Sequence, residues 1–285
     1  MNYFLHYSGK LPPYYKISIN NILSVDKEAR IYICSDEKVD FKNISHCYPN
    51  ELNNQFIEKV RNINYFSKRK NPLWETSLLR IYYLFAMSEV FQIKNFVHFD
   101  LDVMIYKPFK EIKNNFDKNK FNITPMTELD LIFGYSYVGS LETYYKICSD
   151  TLEILDDIKY FEDRFYNSKK INEMMILNFS MMKNPDNFHL LNTLPKYGLK
   201  NQIIFDPAQY GHYLSGVDKK FFMRSTVEEK QFIGREVLEK GFKIKFKNNI
   251  PKLIYKDEQF ELVNLHIHKK NLNKFKSKNY KCFIN

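Results

Sequence analysis

Two rhythms of apolar and polar positions organise the first hundred residues. Residues 2 to 8 read as a strand, and Pro12-Pro13 then opens a helix that runs to about Leu23. Arg30-Ile-Tyr-Ile-Cys-Ser35 reads as a second strand. Strand, helix and strand in so short a stretch make a βαβ unit, the start of an α/β sheet. Such sheets bind ligands beyond the carboxyl ends of their strands. That places Tyr7, Ser8 and Gly9, then Ser35 and Asp36, on the expected rim.

Further along, Leu78, Leu79, Tyr82, Phe85, Ala86 and Val90 recur at helical spacing, which predicts a helix from Trp74 to about Val90. The run Asn95-Phe-Val-His-Phe99 then reads as a short apolar strand leading into Asp100-Leu-Asp102. Val103-Met-Ile-Tyr106 continues extended and stops at Lys107-Pro108. The stretch Met174 to Met182 is apolar on all sides, so its period fits a buried strand or a helix equally. Asp206-Pro207 has the chemistry of a helix start, and Leu262 to His268 reads as a late strand. Neither an internal repeat nor a low-complexity linker interrupts the pattern. The economical division is a core over residues 1–218 and a C-terminal elaboration over 219–285 that completes the site.

Composition changes this picture mainly through charge. The chain has 285 residues, 44 % hydrophobic and 27 % charged, as expected of a globular α/β protein. Phe and Tyr are abundant together with Lys, Asn and Ile, the combination that AT-rich coding produces, so the aromatic excess is not taken as a functional signal. The net charge of +10 is carried by the segment that starts at Lys219, and the first 218 residues balance. After Glu261 no acidic residue follows, while Lys269, Lys270, Lys274, Lys276, Lys278 and Lys281 do. A basic end of this kind attracts phosphates, nucleic acid or an anionic membrane surface, or is simply a solvated terminus. Cys34, Cys47, Cys148 and Cys282 show no metal-binding or disulfide spacing, which fits a reducing cytosol. The first residues lack a basic region followed by an apolar core, so no signal peptide is expected. Nor does any apolar run reach the roughly 20 residues that span a bilayer. The expected location is the cytoplasm, with peripheral contact at the inner membrane face.

The acidic pair carries the chemistry. Asp100 and Asp102 end a strand expected to be buried, and buried carboxylates are costly unless a cation or several hydrogen bonds meet them. Their spacing sends both to one face, and a bend brings both toward one ion. Mn²⁺ or Mg²⁺ is the natural partner for such oxygen ligands, with a diphosphate filling the remaining positions. A bare Asp-x-Asp is common in surface turns. What raises it here is context, namely the apolar strands on either side and the Arg80 helix upstream.

Trp74-Glu-Thr-Ser-Leu-Leu-Arg80 followed by Asn95-Phe-Val-His-Phe-Asp100-Leu-Asp102-Val resembles the core of the GT-A glycosyltransferases, including the glycogenin-like and bacterial galactosyltransferase families. Phe205-Asp206-Pro-Ala-Gln-Tyr-Gly211-His-Tyr-Leu-Ser-Gly216-Val-Asp218 and Asn264-Leu-His266-Ile-His268-Lys269-Lys270 resemble motifs of bacterial surface-polysaccharide glycosyltransferases. Lys269 stands where that pattern has serine. The resemblance implies a mixed α/β sheet of GT-A type flanked by helices, and a hexosyltransferase that uses a UDP-sugar and Mn²⁺ or Mg²⁺. It implies Asp100, Asp102 and His268 as metal ligands, with Lys269 or Lys270 on the diphosphate. Tyr7, Ser8 and Asp36 would hold the nucleoside, and Arg80 would meet the diphosphate or Asp100. Asp206 would take the proton of the acceptor hydroxyl, with Asp130, beside Glu128, as the second choice of base; alternatively Asp206 is a cap without chemistry.

The acceptor expected is a glycan or a lipid-linked glycan of surface-polysaccharide synthesis, attacked with inversion if Asp206 is the base. A retaining transferase of the same fold is the alternative, followed by a metal-dependent nucleotidyltransferase. For the latter, Ser8-Gly9-Lys10-Leu-Pro is a poor phosphate loop. Nucleic acid is not an expected partner, because Asp100 and Asp102 would repel phosphates in the absence of a metal.

Overall fold

The computed structural model describes residues 1–39, 41–42, 44–63, 73–166, 171–196, 198–199, 202–215 and 242–283. The boundary expected at residue 218, and with it Gly216 and Asp218, lies outside the described residues.

The chain opens with β1 (Asn2–Tyr7), α1 (Tyr15–Val25), β2 (Arg30–Ser35), β3 (Ile44–Cys47) and α2 (Gln55–Asn62). It continues through α3 (Leu73–Val90), β4 (Phe96–His98), β5 (Val103–Ile105) and the short α4 (Phe109–Ile112). Next come β6 (Phe121–Pro125), β7 (Leu131–Val138), α5 (Leu141–Asp156), α6 (Ile158–Tyr166), α7 (Glu173–Lys183) and β8 (Phe188–Leu190). The last described elements are α8 (Tyr210–Ser215), β9 (Lys243–Lys247), β10 (Ile250–Tyr255), β11 (Glu258–Glu261) and β12 (Asn264–His266).

Helix starts follow local chemistry. Asn54 accepts from the N–H groups of Phe56 and Ile57 at α2, Ser140 from Thr143 at α5, and Asn172 from Met175 at α7. The run from Met174 to Met182, open between strand and helix on sequence, is part of α7. Its Asn172 cap supplies the start signal that apolar periodicity could not.

Seven strands form a mixed sheet in the order β3-β2-β1-β4-β7-β6-β8. β1 runs parallel to β2 and β4, while β7 is antiparallel to both β4 and β6. Consequently the carboxyl ends of β1, β2 and β4 share one edge with the beginning of β7. Both faces of the sheet are covered. Phe4 enters the core beneath α2, α3, α5 and α7, whereas its neighbours Tyr3 and Leu5 enter the core that contains Ile19 and Ile22 of α1. Burial on both faces explains why β1 reads as a continuous apolar run.

Two smaller sheets complete the molecule. β12 pairs antiparallel with β5, and β9, β10 and β11 form a three-stranded antiparallel sheet. Met104, Tyr210, Ile244, Leu253, Phe260, Leu265 and Ile267 make a third core that joins this sheet to α8 and to the β5–β12 pair. Residues 242–283 are therefore packed into the fold beside the acidic pair.

Candidate metal centre

After β4 the chain bends, with the Val103 N–H donating to the Asp100 carbonyl at 3.0 Å. The turn displays both carboxylates toward one cavity. β12 then brings a histidine to them: pairing sets His266 opposite Val103, and the Ile267 N–H donates to the Asp102 carbonyl at 2.8 Å. His266 Nε2 ends 3.0 Å from Asp102 Oδ1. Asp100, Asp102 and His266 each offer a ligand atom within 4.8 Å of the others. Two carboxylates and an imidazole fit Mn²⁺ or Mg²⁺ in kind.

The group is strongly polarised by its surroundings. Asp102 is only 4 % exposed, and burial alone would raise its pKa. His266 and Lys270 outweigh that and hold it well below the usual carboxylate range. Burial would likewise lower the pKa of His266, but Asp102 beside it leaves it raised. Lys270 donates from Nζ to Asp102 Oδ2.

Arg80, on the α3 face turned to the sheet, is the second anchor. Its guanidinium bonds Asp100 through Nη1 and Glu173 through Nη2, the latter at 2.6 Å, and lies 4.7 Å above the Phe133 ring. Glu173 is the first residue of α7 and is buried, which raises its pKa to about 7 against the pull of Arg80. Asp100, Asp102, Arg80, Glu173, His266 and Lys270 all line one cavity of about 520 Å³, whose rim includes Tyr7, Ser8 and His268.

Several expected residues are thus together: Tyr7, Ser8, Arg80, Asp100, Asp102, His268 and Lys270. Asp36 sits beside the rim, where its carboxylate accepts from the Gly9 N–H at 2.5 Å and ties down the loop after β1. Lys269 is exposed and does not line the cavity, so Lys270 is the lysine brought to the acidic pair. Asp130 is outside the lining and accepts from Thr127 Oγ1 at 2.9 Å, while Glu128 is exposed.

Two expected residues sit apart from the acidic pair. The imidazole grouped with the carboxylates is His266 rather than His268. The His268 ring stacks on it at 4.4 Å and turns Nε2 to the Ala208 carbonyl at 3.2 Å. Burial lowers the His268 pKa to about 3. Asp206 is buried and does not line the cavity. Its side chain is 0 % exposed and accepts four backbone N–H groups, from Gln209, Tyr210, Gly211 and His266, each at 2.8 Å. It caps α8 and fastens α8 to β12.

Glu173 was not foreseen. The available signal was an acid directly after Asn172, a cap residue, at the head of an apolar run. Nothing in that signal says that the acid turns inward.

No protein-family model matches the sequence, and no curated protein matches it. Among solved structures, the chain is similar to mouse xyloside xylosyltransferase 1 with a TM-score of 0.50 and 13 % identity, covering 67 % of this chain and 86 % of that one. The galactosyltransferase LgtC, solved with donor and acceptor sugar analogues, matches with a TM-score of 0.44 and 10 % identity over 76 % of this chain and 78 % of its own. The glycosyltransferase GlyE of Streptococcus pneumoniae matches with a TM-score of 0.39 and 8 % identity over 80 % and 50 %. The fold is accordingly that of the GT-A glycosyltransferases, a mixed α/β sheet flanked by helices.

Proposed function

We propose that the chain transfers a hexosyl group from a nucleoside diphosphate sugar, specifically a UDP-sugar, to a glycan or lipid-linked acceptor. The observation that carries this reading is the convergence of Asp100, Asp102 and His266 with Lys270 and Arg80 in one cavity at the carboxyl ends of the strands.

Asp100, Asp102 and His266 would hold Mn²⁺ or Mg²⁺. When bound, such an ion offsets the charge that develops on a departing diphosphate. Lys270 adds an ammonium on the same side, a charge-assisted donor to phosphate oxygens. Arg80 bridges Asp100 and Glu173 and so ties the acidic pair to the start of α7. Tyr7 and Ser8, which line the cavity, would hold the nucleoside together with Asp36.

With Asp206 spent as a cap, its support for inversion falls away. Glu173 is the cavity-lining carboxylate outside the metal group, and its pKa of about 7 suits proton removal from an acceptor hydroxyl. Inversion in this account rests on Glu173, and retention is the second reading because Arg80 already engages that carboxylate. A nucleotidyltransferase is disfavoured, since the Gly9 N–H that a phosphate loop would offer is bonded to Asp36. Cytoplasmic action on surface-polysaccharide precursors belongs to this proposal and rests on the motif resemblance. Among the described residues, no helix is long and apolar enough to cross a membrane.

The test is a panel of nucleotide sugars with Mn²⁺, read as release of nucleoside diphosphate. Release from a UDP-sugar supports the proposal, and silence across the panel refutes it.

A further inference from the structure

A second cavity, of about 600 Å³, shares no lining residue with the one that holds the acidic pair. Its walls are the segment 114–119 before β6, His189 and Leu190 of β8, and Asn192 with Phe205. β6 and β4 are both antiparallel to β7, so they run the same way. The segment that leads into β6 therefore lies toward the edge of the sheet opposite Asp100 and Asp102.

The backbone of this segment is fixed from behind. Asn122, fully buried in β6, accepts from the Asp117 N–H at 2.7 Å and donates to the Asp117 and Lys120 carbonyls at 2.8 and 2.9 Å. Thr143 Oγ1 donates to the Asn119 carbonyl at 2.7 Å. Gly139 packs so closely that a Cβ there would stand 2.5 Å from the Lys118 carbonyl oxygen. With these bonds made inside, the wall offers side-chain groups in fixed places. Asn114 and Asn119 are exposed. Asn115 donates its amide to the Ile112 carbonyl at 3.0 Å, which leaves the amide oxygen. Asp117 takes the Asn119 N–H at 2.9 Å on one oxygen, which leaves the other. His189 Nε2 donates to the Asn115 carbonyl at 3.1 Å, so Nδ1 is left as an acceptor.

Amides on a surface loop are ordinary where only water meets them. Here they border aromatic rings. Phe116 is half-buried, stacks on Phe109 at 5.2 Å and meets Phe205 at 5.7 Å, and both Phe116 and Phe205 line the cavity. Amides, a carboxylate and an imidazole over an aromatic floor match a sugar ring, whose hydroxyls both donate and accept and whose C–H face is apolar. The one carboxylate, Asp117, is balanced by one ammonium, Lys118, so a phosphate or nucleic acid finds no excess of positive charge. An apolar ligand would leave the amides without partners.

We propose that this cavity binds a neutral oligosaccharide at a site separate from the metal centre. The proposal goes beyond the transferase reading and is tested by binding alone, without turnover.

The test is binding of the full chain to an array of oligosaccharides with neutral, N-acetylated and uronic-acid-containing members, followed by titration calorimetry of the strongest binder. Neutral or N-acetylated chains should bind, and uronic-acid chains should bind more weakly because Asp117 repels their carboxylates. Asn114→Ala combined with Asn119→Ala should weaken binding about tenfold or more, through the loss of two hydrogen bonds. Circular dichroism verifies that the variant is folded. Added UDP and Mn²⁺ should leave the affinity unchanged. Four outcomes overturn the proposal: no binder on the array, a preference for uronic-acid chains, a folded double variant that binds like the parent, or competition by UDP and Mn²⁺.

Discussion

His266 Nε2 stands 3.0 Å from Asp102 Oδ1 because β12 is laid antiparallel against β5, with His266 opposite Val103. Strand register, rather than proximity in sequence, selects which histidine joins the acidic pair. His268 lies two residues on and is stacked behind it.

This relationship predicts a sharp difference between the two histidines. His266→Ala should lower Mn²⁺ affinity and transfer activity by about a hundredfold or more, as loss of a ligand does. His268→Ala should change Mn²⁺ affinity only about threefold by titration calorimetry, since it alters packing around His266. Equal losses in both would move the site to His268.

Glu173 is faced by Arg80 from α3, by Asp100 after β4 and by Asp130 before β7. Burial raises its pKa to about 7. If it accepts the proton from the acceptor, the rate should fall as pH drops below about 7, where the carboxylate protonates. Glu173→Gln should remove that limb of the profile and lower kcat by about 10²-fold or more, with KM for the donor little changed. Retention of the limb in Glu173→Gln would assign it to another group.

At Asp206, cap and base make opposite predictions. Asp206→Ala strands four buried N–H groups and should cost on the order of 4 kcal/mol in denaturant unfolding. Asp206→Asn keeps one accepting oxygen and should cost roughly half as much. Well below its unfolding transition, the Asn variant should retain kcat within about threefold, because a cap takes no part in proton transfer. A folded Asn variant without activity would restore Asp206 as the base. Gly211→Ala probes the same junction. A Cβ there would run into the His266 carbonyl and come within 2.7 Å of its backbone nitrogen, so α8 and β12 should separate and soluble yield collapse.

Buried histidines set the acid limit of the fold. Burial, and then Arg80, lowers the His6 pKa to about 3, and burial lowers that of His98 well below its ordinary value. His98 donates from Nδ1 to the Phe4 carbonyl at 2.7 Å. Both rings are neutral in the fold and become charged on unfolding, so the unfolded chain binds more protons between about pH 3 and pH 6.5. Stability should be full above about pH 6.5, and His6 alone should cost about 3 kcal/mol by about pH 4. His6→Asn should flatten that slope in urea melts at a series of pH values.

The sequence made the centre of the sheet legible. Arg30–Ser35 is β2 with the same ends, and the helix expected from Trp74 begins at Leu73. Asp100, Asp102 and Arg80 were also legible, because a local apolar run and a helical period are enough to place them. What remained hidden depends on contacts between distant segments. Periodicity puts His266 and His268 on one face without telling which meets Asp102. Asp206 announced a cap, but its complete burial is made by β12 closing over it.

In the proposed function, Asp100, Asp102 and His266 hold a divalent ion required for glycosyl transfer. The most direct measurement is nucleoside diphosphate release from a UDP-sugar by protein stripped with EDTA, before and after adding Mn²⁺. It is made on the parent chain and on Asp102→Asn side by side. The stripped protein should be nearly silent, the parent should recover with Mn²⁺, and Asp102→Asn should not recover. Turnover by the stripped parent at the rate of the Mn²⁺-loaded one, or full recovery of Asp102→Asn, would contradict it.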